Sequence, residues 1–246
     1  MSQYSVTHMK NKFLPVLLMF ATGSLAGVEI GKPFLQASVA LDRALYPALL
    51  ATDGGSLGEA GAAVARLKES WQSYASGQTE ILSQAAGWSM TRAGVTRRIE
   101  MAEKFVVTDD VRMAHVLLMQ VREDLVRVRV ALDAETFLDR LVLFKVTMES
   151  TLGEGSLAEV DQKVLAKGIS ALLARWFEVE ETEIDNDVYD FLWSDASALS
   201  ELLEAEGDAI RKLRNAAMTG SSDDLDHLAD VVRKGFSEIT LFLSSS

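Results

Sequence analysis

The side chains best suited to hold a metal ion are two histidines, each near a second possible ligand. His115 precedes Met119 by four residues, so the two lie on one face if this stretch is helical. An imidazole beside a thioether suits copper. The other interpretation is a core histidine, hydrogen-bonded within the fold, next to a methionine that fills a packing gap.

Asp223, His227 and Asp230 form the second candidate set. Their spacing of four and then three residues places them on one helical face, where imidazole and carboxylate together suit zinc or another divalent cation. The same residues are also typical of a solvent-exposed helix start, because aspartates are stabilised near the positive end of the helix dipole. Either set needs more ligands from neighbouring helices.

Between Trp176 and Ile210 the chain has twelve Asp and Glu residues and no Lys or Arg, and we call this stretch the acidic segment. Hard cations such as calcium prefer oxygen ligands, but the stretch that begins at Asp185 lacks the glycine and the terminal glutamate of a calcium-binding hand loop. The acidic segment is therefore either a solvated surface or a docking face for a basic protein or a cation. Nucleic acid and anionic membrane surfaces are not expected as partners, because both need a basic footprint.

Composition and motifs argue against an enzyme. The chain has no cysteine, which excludes disulfides, thiolate metal sites, cysteine nucleophiles and covalent c-type haem. It also lacks a Gly-x-Ser-x-Gly elbow, a phosphate-binding loop and a His-Glu-x-x-His zinc motif. The sequence therefore predicts a non-enzymatic binding or interaction module. The alternative is a protein that handles copper or a divalent cation.

Apolar residues at helical spacing predict an all-α fold. From Val111 to Leu132 they step by three and four residues, which makes one apolar stripe. Ser56-x-x-Glu59 and Ser156-x-x-Glu159 read as capping boxes and predict two helix starts. Stripes, caps and glycine breaks together predict eight helices, at 34–53, 56–76, 89–106, 109–131, 134–152, 156–178, 195–218 and 222–243.

The four tryptophans predict an internal duplication. Trp71 and Trp88 are 17 residues apart, and so are Trp176 and Trp193. Short motifs recur in the same order: Leu41-Asp42-Arg43 with Leu138-Asp139-Arg140, and Gly55-Ser56-Leu57 with Gly155-Ser156-Leu157. We therefore expect two tandem, internally duplicated up-down four-helix units, over 27–133 and 134–246, that superpose with all four tryptophans largely buried.

Residues 1–26 resemble an export signal peptide. Lys10 and Lys12 precede an apolar run that ends in small residues, with cleavage expected after Ala26. The run is short for a membrane span, so a periplasmic or extracellular protein without a stable membrane span after cleavage is predicted. The alternatives are an uncleaved anchor and a buried first helix.

The two predicted repeats differ sharply in charge. Residues 27–133 have 12 basic and 13 acidic side chains, net −1, whereas residues 134–246 have 10 and 23, net −13. This asymmetry indicates that the second repeat has specialised for a basic protein partner or a cation.

Overall fold

The computed structural model describes residues 30–153, 155–219 and 224–245. In these ranges the chain forms helices and no strand, which confirms the predicted all-α class. None of the described helices is long and apolar enough to cross a membrane. The predicted signal peptide, residues 1–26, lies outside the described residues. In chain order the helices are α1 (Lys32–Gly54), α2 (Leu57–Gly77), α3 (Thr79–Leu82), α4 (Trp88–Val107), α5 (Val111–Ala131), α6 (Phe137–Leu152), α7 (Gln162–Glu180), α8 (Asn186–Tyr189), α9 (Trp193–Thr219) and α10 (Leu225–Ser245).

Both halves of the chain follow the same order of elements: two long helices, a helix of four residues, and two more long helices. In the first half α1 packs on α2, α2 on α4, α4 on α5, and α5 returns to α1. In the second half α6, α7, α9 and α10 pack in the same cyclic order. Each half is thus a four-helix bundle in which successive long helices are neighbours.

Buried apolar side chains form two separate clusters. One draws on residues 34–134, and the other draws on residues 137–243 together with Val39 and Tyr46 of α1. Each bundle therefore has its own core.

Helix α1 is the main link between the bundles, because it packs against α8 and α10 as well as against its neighbours in the first half. One stripe of α1 supplies polar contacts to α8. Lys32 and Gln36 reach the side chain and the backbone oxygen of Asp187, and Arg43 donates to the backbone oxygen of Tyr189. The spacing of these three donors keeps them on one helical face, so α8 is held along α1.

The predicted capping box is present in the first repeat and absent from the second. Ser56 and Glu59 form the predicted capping box at the start of α2. The predicted helix start at Ser156 is wrong. Residues Leu157–Glu159 form a single 3-10 turn, and α7 begins one turn later, with Asp161 as its N-cap.

Candidate functional site

His115 lies on α5 and is only half buried. Its Nδ1 lies 3.1 Å from Thr52 Oγ1 and 3.2 Å from the backbone oxygen of Leu49, both on α1. Met119, on the same face of α5, packs against the first core. These contacts are those of a histidine hydrogen-bonded within the fold, and they place no further ligand beside the pair.

The second candidate metal set is only partly described, because Asp223 lies outside the described residues. His227 and Asp230 are exposed on α10, and Asp230 pairs with Arg233 at 2.6 Å. Among the described residues, no three or more His, Asp and Glu side chains are grouped so that they could hold a metal ion. Metal handling therefore stays a prediction.

Part of the acidic segment holds the fold together. The Asp185 carboxylate caps α8 by accepting from the backbone N–H of Asp187. Lys32 on α1 pairs with both aspartates, at 2.9 and 2.7 Å, and its hydrogen bond lowers the pKa of Asp185 below the usual range. Neutralising these two aspartates would therefore remove contacts between α1 and α8 as well as charge.

Other acids of this segment face solvent. Glu180 accepts a hydrogen bond of 2.9 Å from the indole N–H of Trp176, but Glu181, Glu183 and Asp190 are exposed. Glu181 and Glu183 lie between α7 and α8, and Asp190 lies between α8 and α9, so exposed carboxylates make the surface on both sides of α8 negative.

Two large apolar side chains stand out from this negative surface. Leu192 is 71% exposed and Trp193 is 85% exposed. The residues just before them are buried: Tyr189 and Phe191 are 3% and 9% exposed, and their rings pack together at 5.3 Å. Residues 189–193 are therefore anchored in the second core by Tyr189 and Phe191, and the side chains of Leu192 and Trp193 extend into solvent.

A tight turn produces this arrangement. Asp190 ends α8 in the left-handed conformation, with φ 52° and ψ 38°, which a short polar residue tolerates better than most. The backbone N–H of Phe191 then donates to the Asn186 oxygen. The N–H of Leu192 donates to the Asp195 carboxylate at 2.9 Å, which closes the first turn of α9. Trp193 is thus the first residue of α9, directly after a hydrogen-bonded turn.

The corresponding tryptophan of the first bundle points the other way. Trp88 is the first residue of α4, as Trp193 is of α9, yet it is only 6% exposed. Gly87, immediately before it, has the positive φ of 77° that favours glycine. The Trp88 ring packs edge-on against Trp71, at a centroid distance of 5.9 Å.

The prediction that all four tryptophans are largely buried is therefore wrong for Trp193. In the second bundle, Phe144 takes the place against Trp176, at 5.0 Å. Pro47 stands at the matching distance after the Leu-Asp-Arg motif of the first repeat and provides no such ring. The buried indole of the second core therefore packs against Phe144, whereas Trp193 faces solvent.

A buried ion cluster between the bundles was not predicted from the sequence. Arg129 on α5 donates two hydrogen bonds to Asp139 on α6, at 2.8 and 2.6 Å, and one of 3.2 Å to Asp42 on α1. The side chains of all three are at most 2% exposed, and burial raises the pKa of Asp42 to about 7. The two aspartates are the centres of the repeated Leu-Asp-Arg motifs, which was the available signal. Since the cluster is closed to solvent, its role is to join helices.

One member of the acidic segment is not on the surface. Glu206 on α9 is 1% exposed, and neither of its carboxylate oxygens has a hydrogen-bond partner among the described residues. It lies against Gly235 of α10, where a Cβ would collide with the carboxylate. Burial, reinforced by the charge of Glu238, raises the pKa of Glu206 to about 8.

Comparison of the chain with models of protein families, with curated proteins and with solved structures finds no match. Function is therefore inferred from the site alone.

Proposed function

We propose that the protein is an exported, non-enzymatic interaction module that binds a basic, amphipathic surface of a partner protein. The binding surface consists of Leu192 and Trp193 together with the exposed carboxylates of the acidic segment. The observation that carries this proposal is the 85% exposure of Trp193, on a helix that begins at a fixed turn.

A solvent-exposed tryptophan is well suited to anchor a protein interface. Tryptophan buries roughly 150–250 Å² when it is covered, and it is among the residue types most enriched at binding hot spots. A rigid backbone lowers the entropy lost on binding. Leu192, at 71% exposure, widens the apolar centre of the surface.

The negative charge of the acidic segment indicates that the partner surface is basic. The segment holds twelve acids and no base, and carboxylates such as Glu201 and Glu204 continue along the exposed side of α9. Exposed acids on the same segment as an apolar pair complement a surface that presents Lys or Arg beside an apolar patch. An acidic partner would be repelled.

The test uses a synthetic amphipathic peptide of Leu and Lys as the probe, with a peptide of Leu and Glu as its opposite. Fluorescence anisotropy of the labelled peptide measures Kd for wild type, Trp193→Ser and Val107→Ser. Val107 is the matched control, because it is an 82% exposed apolar side chain at the end of α4. We expect Trp193→Ser to weaken binding of the basic peptide by about 30-fold or more, and Val107→Ser to leave it unchanged.

Two results would contradict this binding surface. Unchanged binding by Trp193→Ser would remove the tryptophan from the site. Equal binding of the acidic and basic peptides would remove the role of charge.

A further inference from the structure

The chain has a basic counterpart to its own acidic segment. Residues 71–105 span the same interval in the first repeat, from its first tryptophan onwards, and hold four Lys or Arg and three acids. The acidic segment, 176–210, holds twelve acids and no base. The same structural interval is therefore slightly positive in one bundle and strongly negative in the other.

A cleft of about 550 Å³ opens on the basic side, along α4. Its lining includes Trp88, Arg92 and Arg97 of α4 and Thr79, the first residue of α3. Both arginines are exposed. Glu100 also belongs to the lining, which therefore has a net charge of +1. Guanidinium groups stack on aromatic faces and bind carboxylates with two hydrogen bonds.

From this complementarity we infer that the basic partner is a second copy of this chain: Trp193 of one copy enters the α4 cleft of the next. This inference rests on the proposed function and names its partner. Inside the cleft the indole lies against Arg92 and Arg97, while Glu201 and Glu204, about 12 and 16 Å further along α9, extend the acidic surface next to the basic side of α4. The apolar anchor and the charges are then satisfied together.

The contact joins two different surfaces, so it is heterologous. Each copy offers one Trp193 and one cleft, and a bound pair still has one of each free. Association of this kind continues into open chains unless the geometry closes a ring. The expected species therefore grow with concentration and do not stop at a dimer.

Salt screens both the long-range repulsion between whole copies, which favours association, and the attraction in the cleft, which disfavours it. Each chain carries a formal net charge of −12, so whole copies repel at low ionic strength. At about 0.15 M salt the screening length is about 8 Å, which suppresses the long-range repulsion more than the short contacts in the cleft. Association is therefore expected to be strongest at intermediate salt and weaker at both extremes.

A complementary pair of variants tests the contact. Arg92→Glu with Arg97→Glu reverses the cleft and keeps Trp193, whereas Trp193→Ser removes the anchor and keeps the cleft. In sedimentation velocity, wild type should form species that grow with concentration, and each variant alone should stay monomeric. The mixture should form a one-to-one dimer and nothing larger, because it contains one functional cleft type and one functional anchor type. Val107→Ser should behave as wild type.

Two results would overturn the inference. One is a wild type that stays monomeric to high concentration at every salt concentration tested. The other is a mixture of the two variants that fails to dimerise although wild type associates. If either occurs while Trp193 still governs binding of the basic peptide, the proposed function stands and its partner is a different protein.

Discussion

Glu206 is the residue whose replacement should change stability most informatively. Its carboxyl group lies between α9 and α10, 1% exposed, in the space left by Gly235. Burial raises its pKa from 4.5 to about 8, with Glu238 as the second cause. Methionine has a similar length, carries no titratable group and adapts to irregular packing, so Glu206→Met removes the titration and keeps the volume.

The size of the effect follows from proton linkage. Between pH 4.5 and about 8 the folded protein retains the Glu206 proton and the unfolded chain has lost it. Unfolding therefore releases a proton, and each pH unit in this window lowers the free energy of unfolding by about 1.4 kcal/mol. At pH 7 the loss amounts to about 3 kcal/mol. Glu206→Met should recover it, and the gain should vanish as the pH approaches 4.5.

Urea unfolding followed by far-UV circular dichroism measures this gain at about pH 5 and about pH 7. The difference between the two gains isolates Glu206, because other titrating groups, including Asp42, are present in both proteins. Glu204→Met is the matched control, since Glu204 is exposed on the same helix, and it should show no pH-dependent gain. If Glu206→Met is equally stabilised or destabilised at both pH values, the Glu206 carboxyl group ionises normally and the reasoning from its burial is wrong.

Two further predictions concern the ion cluster and the N-terminus. Replacing Arg129 by Met leaves the buried carboxylates of Asp42 and Asp139 without their cation, so the free energy of unfolding should fall by about 3–5 kcal/mol in urea titrations; a loss below about 1 kcal/mol would mean that water reaches the cluster. Export predicts cleavage after Ala26, which N-terminal sequencing of the native protein checks, and an uncut chain in the cytoplasm would contradict it.

Local features of the sequence determined most of the helical architecture. Apolar stripes and the Ser56 capping box depend on residues three and four positions apart, and such spacing is readable without knowing the fold. All eight predicted helices occur, with ends displaced by a few residues. The two helices of four residues, α3 and α8, were not predicted, because one helical turn has too few positions to show a period.

Contacts between residues far apart in the sequence determined the features that local spacing did not predict, such as the start of α7. Ser156 has the capping-box sequence, but its hydroxyl donates to Asp226, and the same carboxylate accepts from the Leu157 N–H at 2.6 Å. Ser156 still caps the 3-10 turn by accepting from the Ala158 N–H at 3.3 Å, while a residue 70 positions away on α10 holds that turn through two hydrogen bonds. The sequence contains no sign of this competition.

The candidate site shows the same limit most clearly. The spacing of the tryptophans predicted that Trp193 would match Trp88, and the two residues do begin equivalent helices. In the second bundle the ring that packs against Trp176 is Phe144 of α6, and Trp193 is 85% exposed. Spacing determines where a residue lies along a helix, but the space available in the core depends on side chains from other helices. Only the tertiary structure therefore showed that this tryptophan faces solvent.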